Sequence, residues 1–349
     1  MEKFVAIDSG KYATKVAEYN KAKKTVKKVS IRTAYCPGDF RDDAIEKSTV
    51  IMSASCFGDE VYKVGNGARG IGAELTTDKM LDVHRICAMT ALTAVASSKE
   101  VDDITVAVLL PAKDWAEVSK REDFREYIVP TGEIKAKIKG TSASSVTEKT
   151  FNVKKVYVFP ESQGALFMDE TIGDVTTTSV IGVLDDGNLN LNATLWQGID
   201  LVQDKSSTSE LGGSILIQEI AQEISTHVTT CDEMVAAILL KEKALPSGMN
   251  ITAEQEAEIF KIIDRVKYQH AERIKKVCHG RGWALDLIKI VAIGGTSKDL
   301  EPELKQIFGN NIIVLKNAEF VNVLGALRIM CSKELDTLID ISDVDKITA

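Results

Sequence analysis

No apolar run in the chain reaches the roughly 18–20 residues that a bilayer-spanning helix needs. The first apolar stretch, inside Met1-Glu2-Lys3-Phe4-Val5-Ala6-Ile7-Asp8, is far too short for a secretory signal and stops at an acid. Positive charge is in deficit. Lys and Arg total 43 against 51 Asp and Glu, a formal net charge of −8. A dedicated nucleic-acid binder carries a basic stripe to neutralise phosphates, and attachment to an anionic membrane needs the same sign. Direct nucleic-acid binding and membrane association are therefore not expected, and the reading is a cytoplasmic protein. Paired cysteines are missing too. Cys36, Cys56, Cys87, Cys231, Cys278 and Cys331 form no C-x-x-C, which leaves zinc and redox chemistry without support. They read as reduced thiols that pack as small apolar residues. His84, His227, His270 and His279 are scattered outside any H-E-x-x-H, and no G-x-x-x-x-G-K-[ST] occurs, which excludes a P-loop nucleotidase.

What is present is ordinary globular material, 44% apolar and 27% charged over 349 residues, enough for two domains with proper cores. Three short apolar runs stop abruptly at glycine turns: Phe4–Ile7 before Asp8-Ser9-Gly10, Val180–Leu184 before Asp185-Asp186-Gly187, and Ile288–Ile293 before Gly294-Gly295-Thr296-Ser297. Each reads as a buried strand. The first two form an internal repeat, a strand, Asp-x-Gly, then an alternating segment, as in a hairpin with a glycine-dependent corner. The copies lie about half a chain apart. Two similar halves follow, residues 1–159 with a small subdomain at about 30–75, and 160–349.

Elsewhere the pattern is mixed α/β. Helical spacing covers Met80 to Ser98, Ser214 to Leu240 and Phe320 to Met330. Strands are expected at Ile104–Leu110, Phe124–Ile138, Phe151–Phe159 and Ile312–Leu315. Thr252 and Gln255 form a capping box opening a long amphipathic helix. The basic cluster Arg265, Lys267, Arg273, Lys275, Lys276 and Arg281 on that helix reads as a solvated face. The polar tail from Ser342 to Ala349 reads as frayed. Gly65-Asn66-Gly67-Ala68-Arg69-Gly70 matches G-x-G-x-x-G but follows a polar run, so it reads as a loop.

Two Asp-x-Gly corners suggest a phosphate site. Glycine lets backbone N–H groups approach phosphate oxygens. A carboxylate beside a polyphosphate needs a cation between them, so Asp8 and Asp185 imply Mg²⁺, held through waters. Lys15, seven residues after Asp8, would return along the hairpin and neutralise phosphate. Glu161, after the strand ending at Pro160, is a candidate for positioning a water for attack on a γ-phosphate. The plain alternative is a favourable acid in the first turn of a helix. Gly294-Gly295-Thr296-Ser297 would admit a nucleoside to the backbone, with Leu211-Gly212-Gly213-Ser214 closing the other side; the plain alternative for each is a loop or N-cap.

In this order the pieces resemble the actin, Hsp70 and sugar-kinase ATPase superfamily over nearly the whole chain. Asp8-Ser9-Gly10 with Lys15 resembles its first phosphate loop, Asp185-Asp186-Gly187 its second, and Gly294–Ser297 its adenosine segment. Pro160-Glu161 with Gly164-Ala165, and Asn322 with Gly325, resemble its two connecting segments. The resemblance implies an α/β actin-like ATPase fold, two similar ribonuclease-H-like halves flanking a nucleotide cleft. Within it the chain is most similar to the ParM-like bacterial actins. That similarity implies ATP (GTP as the alternative) with Mg²⁺, catalysis by Glu161 and Asp185, and nucleotide contacts from Asp8, Ser9, Gly10, Lys15, Asp186, Gly187, Asn188, Asn190, Gly212, Gly213, Gly294, Gly295, Thr296 and Ser297. It also implies a homopolymer filament that segregates plasmid DNA through a DNA-bound adaptor of ParR type and turns over on hydrolysis.

One stretch departs from the family. Its second phosphate loop usually runs Asp-x-Gly-Gly-x-Thr-x-Asp, whereas here Asp185-Asp186-Gly187 continues Asn188-Leu189-Asn190-Leu191-Asn192. Asn190 can still donate to a phosphate oxygen, but the metal shell leans more on Asp8 and Asp185. The competing reading is a small-molecule, sugar-type kinase on the same fold, with Asp185 or Asp186 as the base.

Overall fold

A computed structural model describes the chain except residues 43–45, 59, 73–77, 141–142, 144, 247–250, 343 and 347–349. It divides into two compact units, Met1–Ile172 with Phe320–Ala349, and Gly173–Glu319. The expected halves met at 159/160. The chain instead stays in the first unit to Ile172 and comes back to it at Phe320.

The first unit opens with β1 (Glu2–Ser9), β2 (Ala13–Asn20) and β3 (Thr25–Arg32), and continues through β4 (Ala34–Pro37), β5 (Thr49–Ala54), β6 (Tyr62–Gly65) and β7 (Ile71–Gly72). Then come α1 (Asp82–Val95), β8 (Asp102–Leu110), α2 (Ala112–Trp115), α3 (Val118–Ile128), β9 (Gly132–Gly140) and β10 (Thr147–Pro160). The second unit holds β11 (Val180–Asp186), β12 (Leu191–Gln197), β13 (Asp200–Ser209), α4 (Gly213–His227), α5 (Glu233–Glu242), α6 (Ala253–Gly280), β14 (Lys289–Ile293), α7 (Gly295–Asp299), α8 (Glu301–Phe308) and β15 (Ile312–Val314). The first unit regains α9 (Val321–Leu335) and β16 (Val344–Lys346).

The repeat read from two Asp-x-Gly corners extends to whole sheets. In the first unit the order β3-β2-β1-β8-β10 is antiparallel, antiparallel, parallel, parallel. In the second, β13-β12-β11-β14-β15 repeats that order with the same senses. Beyond β10 the first sheet extends through β9 and then β5, β6, β4 and β7, the last four of which lie within residues 30–75. Strand β1 is apolar on both faces because α1 and α9 both pack on it. Separate apolar cores fill the two units, Val5, Ile7, Met89, Leu92 and Phe151 in one, Leu184, Leu216, Ile220, Ile262 and Ile290 in the other.

Four expectations change. Residues 124–128 are the end of helix α3, not a strand: Phe124 and Ile128, four apart, are its buried pair, and the alternation begins only in β9. Ser214–Leu240 is two helices. Asp232 starts the second by accepting from the Val235 N–H at 2.8 Å. The capping box is formed, with Gln255 N on Thr252 Oγ1 and Thr252 N on Gln255 Oε1, but the helix's basic face is largely engaged. Lys267 is buried on Glu303 at 2.8 Å, Arg265 and Arg273 pair with Glu223 and Glu219, and Lys275 donates to the Ile307 carbonyl. Finally, Val344–Lys346 pairs in parallel with β3 instead of fraying; residues 343 and 347–349 of that tail lie outside the described residues. The G-x-G-x-x-G stretch is a turn: Gly65, at φ 105°, ends β6, and the two-residue strand β7 follows Gly70 where a dinucleotide site needs a helix.

Candidate functional site

In the first unit, β1 and β2 run in a register that sets Asp8 opposite Lys15 and Ser9 opposite Thr14. The corner between them depends on Gly10, where a Cβ would stand 2.7 Å from the Ala13 carbonyl oxygen. Thr33 pins it from the next strand junction: its hydroxyl donates to Gly10 O at 2.6 Å and its N–H to Tyr12 O. A buried hydroxyl row links Thr33 to Thr14 and Thr14 to Ser9, and Ser9 Oγ lies 3.0 Å from His84 Nδ1. Burial, helped by nearby Lys79, pushes the His84 imidazole down to about 4, so it is neutral.

Sequence reasoning missed the group at the centre of this corner. Lys79 Nζ lies 3.0 Å from Asp8 Oδ1 and 2.5 Å from Glu161 Oε1, and donates to Leu109 O at 3.2 Å. Its side chain is 4% exposed. Burial alone would raise the Asp8 carboxyl, but the ammoniums of Lys79 and Lys15 outweigh it and hold the group below its ordinary value. Lys11, at the corner, is partly buried near Glu161 and Lys79, and burial lowers its ammonium. No spacing in the sequence pointed to Lys79, which sits 71 residues from Asp8.

Glu161 follows β10 directly, its N–H bonded to Leu110 O at 2.8 Å. The expected helix is one short 3₁₀ turn, Gln163–Phe167, entered through Ser162 in the left-handed region (φ 73°). The two connecting segments do meet. Ser162 N donates to Asn322 Oδ1 at 3.0 Å, and Gly164 and Gly325 lie backbone to backbone.

In the second unit three glycine segments converge. Gly187 N donates to Asn190 O and closes the hairpin turn. Gly213 N and Ser214 N, at the start of α4, donate to the carbonyls of Gly187 and Asn188 at 2.9 and 2.7 Å. Thr296 Oγ1 donates to Gly187 O at 3.0 Å. Gly294, at φ 91°, comes so close to the Asp186 backbone that a Cβ would lie 2.2 Å from its oxygen. Asn190 Nδ2 reaches toward Asn192 Oδ1 at 3.4 Å, and Thr208 also donates to that oxygen. Ser297 and Gly295 lie in the short α7 beginning here.

Strand alternation sends Asp185 and Asp186 to opposite faces. The Asp186 carboxylate is fully buried, and neither oxygen has a hydrogen-bond partner. Burial, with Asp185 and Asp299 nearby, raises it well above the ordinary carboxyl. The folded state therefore keeps a proton that the unfolded chain sheds above about pH 4. Stability from this group is present below that pH and is lost as pH rises toward the folded value. Asp186→Asn should accordingly stabilise the protein by about 1–3 kcal/mol at pH 8, with the gain shrinking toward pH 4.5. Thermal unfolding of both proteins across that range checks it; a gain independent of pH would count against the buried proton.

Magnesium takes one or two protein carboxylates and completes its shell with water and phosphate oxygens. Asp8 and Asp185 are such donors, one at the corner of each unit's central hairpin. Among the described residues no group of three or more His, Cys, Asp or Glu could hold a metal. By donor type each carboxylate, within its own unit, suits a metal held through waters.

Residues 6–164 match the family described as the N-terminal domain of actin-like proteins. No curated protein matches the chain. Among solved structures, the Alp12 filament is 22% identical with a TM-score of 0.71, covering 95% of this chain and 99% of that one. A 15-stranded ParM filament from Clostridium botulinum is 18% identical, TM-score 0.67, with coverages of 94% and 98%. The archaeal actin homologue Ta0583 in complex with ADP is 14% identical, TM-score 0.69, with coverages of 94% and 98%. No helix among the described residues is long and apolar enough to cross a membrane. With a repeated sheet order, matched Asp-ended hairpins and likeness to these structures over nearly its whole length, the chain has an actin-like fold, and its residues 6–164 are of the actin-like N-terminal type.

Proposed function

We propose that the chain is an ATP-dependent, filament-forming actin-like protein that segregates plasmid DNA through a DNA-bound adaptor of ParR type, with hydrolysis driving filament turnover. The observation that carries this is the convergence of Asp185–Asn188, Gly212–Ser214 and Gly294–Ser297 on one corner, matched in the other unit by Asp8, Gly10 and Lys15. Lys15 neutralises phosphate charge, and the glycines let main chain approach the nucleotide. Asp8 and Asp185 would hold Mg²⁺ through waters, and the ion would offset the charge of the phosphates. Glu161 orients the attacking water. Similarity to filaments of Alp12 and ParM supports self-assembly, and similarity to an ADP complex supports a nucleotide ligand. The acidic net charge of −8 suits a filament that moves DNA through an adaptor instead of binding it.

Right-angle light scattering with sedimentation tests the reading. Scattering should rise within minutes of adding ATP and Mg²⁺, and the protein should pellet only with nucleotide. A monomer that phosphorylates a sugar and never sediments would replace this function with that of a small-molecule kinase.

A further inference from the structure

We propose that His84 is a positioning residue for the Asp8-Ser9-Gly10 corner. Its Nδ1–H starts a one-way chain of hydroxyls, Ser9, Thr14 and Thr33, that ends on the Gly10 carbonyl and fixes which way the Gly10–Lys11 peptide faces. The Ser9 hydroxyl is a link in this chain and not a ligand of the nucleotide. The inference rests on the nucleotide-binding reading above and adds to it what holds the first unit's corner in shape.

Counting hydrogens fixes the direction. A carbonyl only accepts, and a hydroxyl has one hydrogen to give. Thr33 Oγ1 lies 2.6 Å from Gly10 O, so its hydrogen goes there. Across the 3.0 Å to Thr14 Oγ1 it must therefore accept, and Thr14 donates. Ser9 Oγ then has two oxygens beside it that can only accept, Thr14 Oγ1 at 3.3 Å and the His84 carbonyl at 3.2 Å, and its one hydrogen serves them. The contact left over, 3.0 Å to His84 Nδ1, is made by a hydrogen on the ring nitrogen. Nδ1 donates in this way whether the ring is neutral or charged. The other ring nitrogen agrees. His84 Nε2 is buried with no hydrogen-bond partner among the described residues, and a bare lone pair there is milder than a stranded N–H.

The chain ties a helix to a turn. Ser9 ends β1, Thr14 lies in β2, Thr33 follows β3 and His84 stands in the first turn of α1, and all four are buried. Thr33 grips the corner twice, its hydroxyl on Gly10 O and its N–H on Tyr12 O at 2.9 Å. A trans peptide is planar, with its C=O and N–H pointing opposite ways. Gly10 O faces Thr33, so the Lys11 N–H of the same peptide faces away from the chain, and main-chain donors presented at such a turn are what an anion binds. A hydroxyl that accepts donates more strongly, so the first donor in a buried row strengthens every later link. Removing the ring N–H weakens the hold on Gly10 O, four side chains away from it in the chain. The Ser9 hydrogen, meanwhile, points inward and is not offered to a phosphate.

Two measurements on the full chain test this. Two-bond ¹H–¹⁵N spectra of histidine-labelled protein, with His84→Asn to assign the signal, should show His84 protonated on Nδ1 and bare on Nε2 without nucleotide. A ring protonated on Nε2 alone overturns the chain's direction and the inference, and this readout is taken on wild type, so it holds even where a variant does not fold. Calorimetric titration with ADP and Mg²⁺ reads the consequence. His84→Asn, whose amide N–H stands where Nδ1–H stands, should bind within about threefold of wild type, whereas His84→Leu should bind about tenfold more weakly. Thr33→Val should also lose about tenfold, and the double variant with His84→Leu should bind no more weakly than Thr33→Val alone, because the two residues act through one chain with Ser9 and Thr14 between them. Equal losses in the Asn and Leu variants, or losses that add in the double variant, overturn the positioning role of His84 and leave the nucleotide site standing. Failure of wild type to bind ADP overturns the nucleotide reading and the use assigned to the chain, while the tautomer still reports the chain's direction.

Discussion

Gly325→Val should unfold the first unit or lower its stability by about 3 kcal/mol or more. Gly325 lies in the second turn of α9, and a Cβ there would meet the Gly164 carbonyl oxygen at 2.1 Å and its Cα at 2.3 Å. From the other side, a Cβ on Gly164 would meet the carbonyl oxygens of Asn322 and Val321 at 2.8 and 2.9 Å. Every one of these atoms is backbone, so no side chain can swing aside. The helix cannot retreat cheaply either: Leu324, Leu327, Met330 and Cys331 are buried around it, and Ser162 N is bonded to Asn322. Urea denaturation followed by circular dichroism gives the number. A midpoint equal to that of wild type would show that the two segments do not touch in solution.

Glu161→Ala should slow phosphate release by about 10²–10⁴-fold while filaments still assemble and persist longer. The main chain at 161 is held by its own bond to Leu110 O, so removing the carboxylate does not release the segment. Lys79 keeps Asp8 and Leu109 O as partners in that variant, so the corner that would carry phosphate stays closed. In the proposed function assembly depends on nucleotide being bound and turnover on the oriented water, so the substitution should separate the two. Pelleting and a phosphate-release assay on one sample read both. Hydrolysis at the wild-type rate would remove Glu161 from the catalytic role and leave it as the second anchor of Lys79.

Much of the frame was legible from residue pattern. Strands ending in Asp-x-Gly declare themselves because an apolar run, an acid and a glycine are adjacent in sequence, and the register placing Lys15 across from Asp8 follows from hairpin geometry alone. The meeting of Gly164 with Gly325 was foreshadowed by small residues in segments that resembled the family's connectors. What stayed hidden depends on contacts that no local pattern records. Lys79 sits in the polar stretch Asp78-Lys79 before α1, and only the folded sheet carries it to Asp8 and Glu161. The lysines and arginines of α6 looked solvated because sequence shows one helix at a time, while their partners Glu219, Glu223 and Glu303 come from two others. Period was misjudged at α3, where a single buried pair four residues apart decides the matter. Asp186 could have been read better. Adjacent strand residues face opposite ways, so the pair Asp185 and Asp186 could never both have pointed to one side.

The return of the chain to its first unit has a consequence for synthesis. Residues 173–319 are contiguous, so that unit has all its strands and helices as soon as it emerges from the ribosome. The unit begun earlier lacks α9, which packs on β1, β2 and β8, and strand β16, which pairs with β3, until residues 321–346 are made. The part translated second is thus able to finish folding first, and the older part waits with one side of its strand β1 uncovered until α9 has been made.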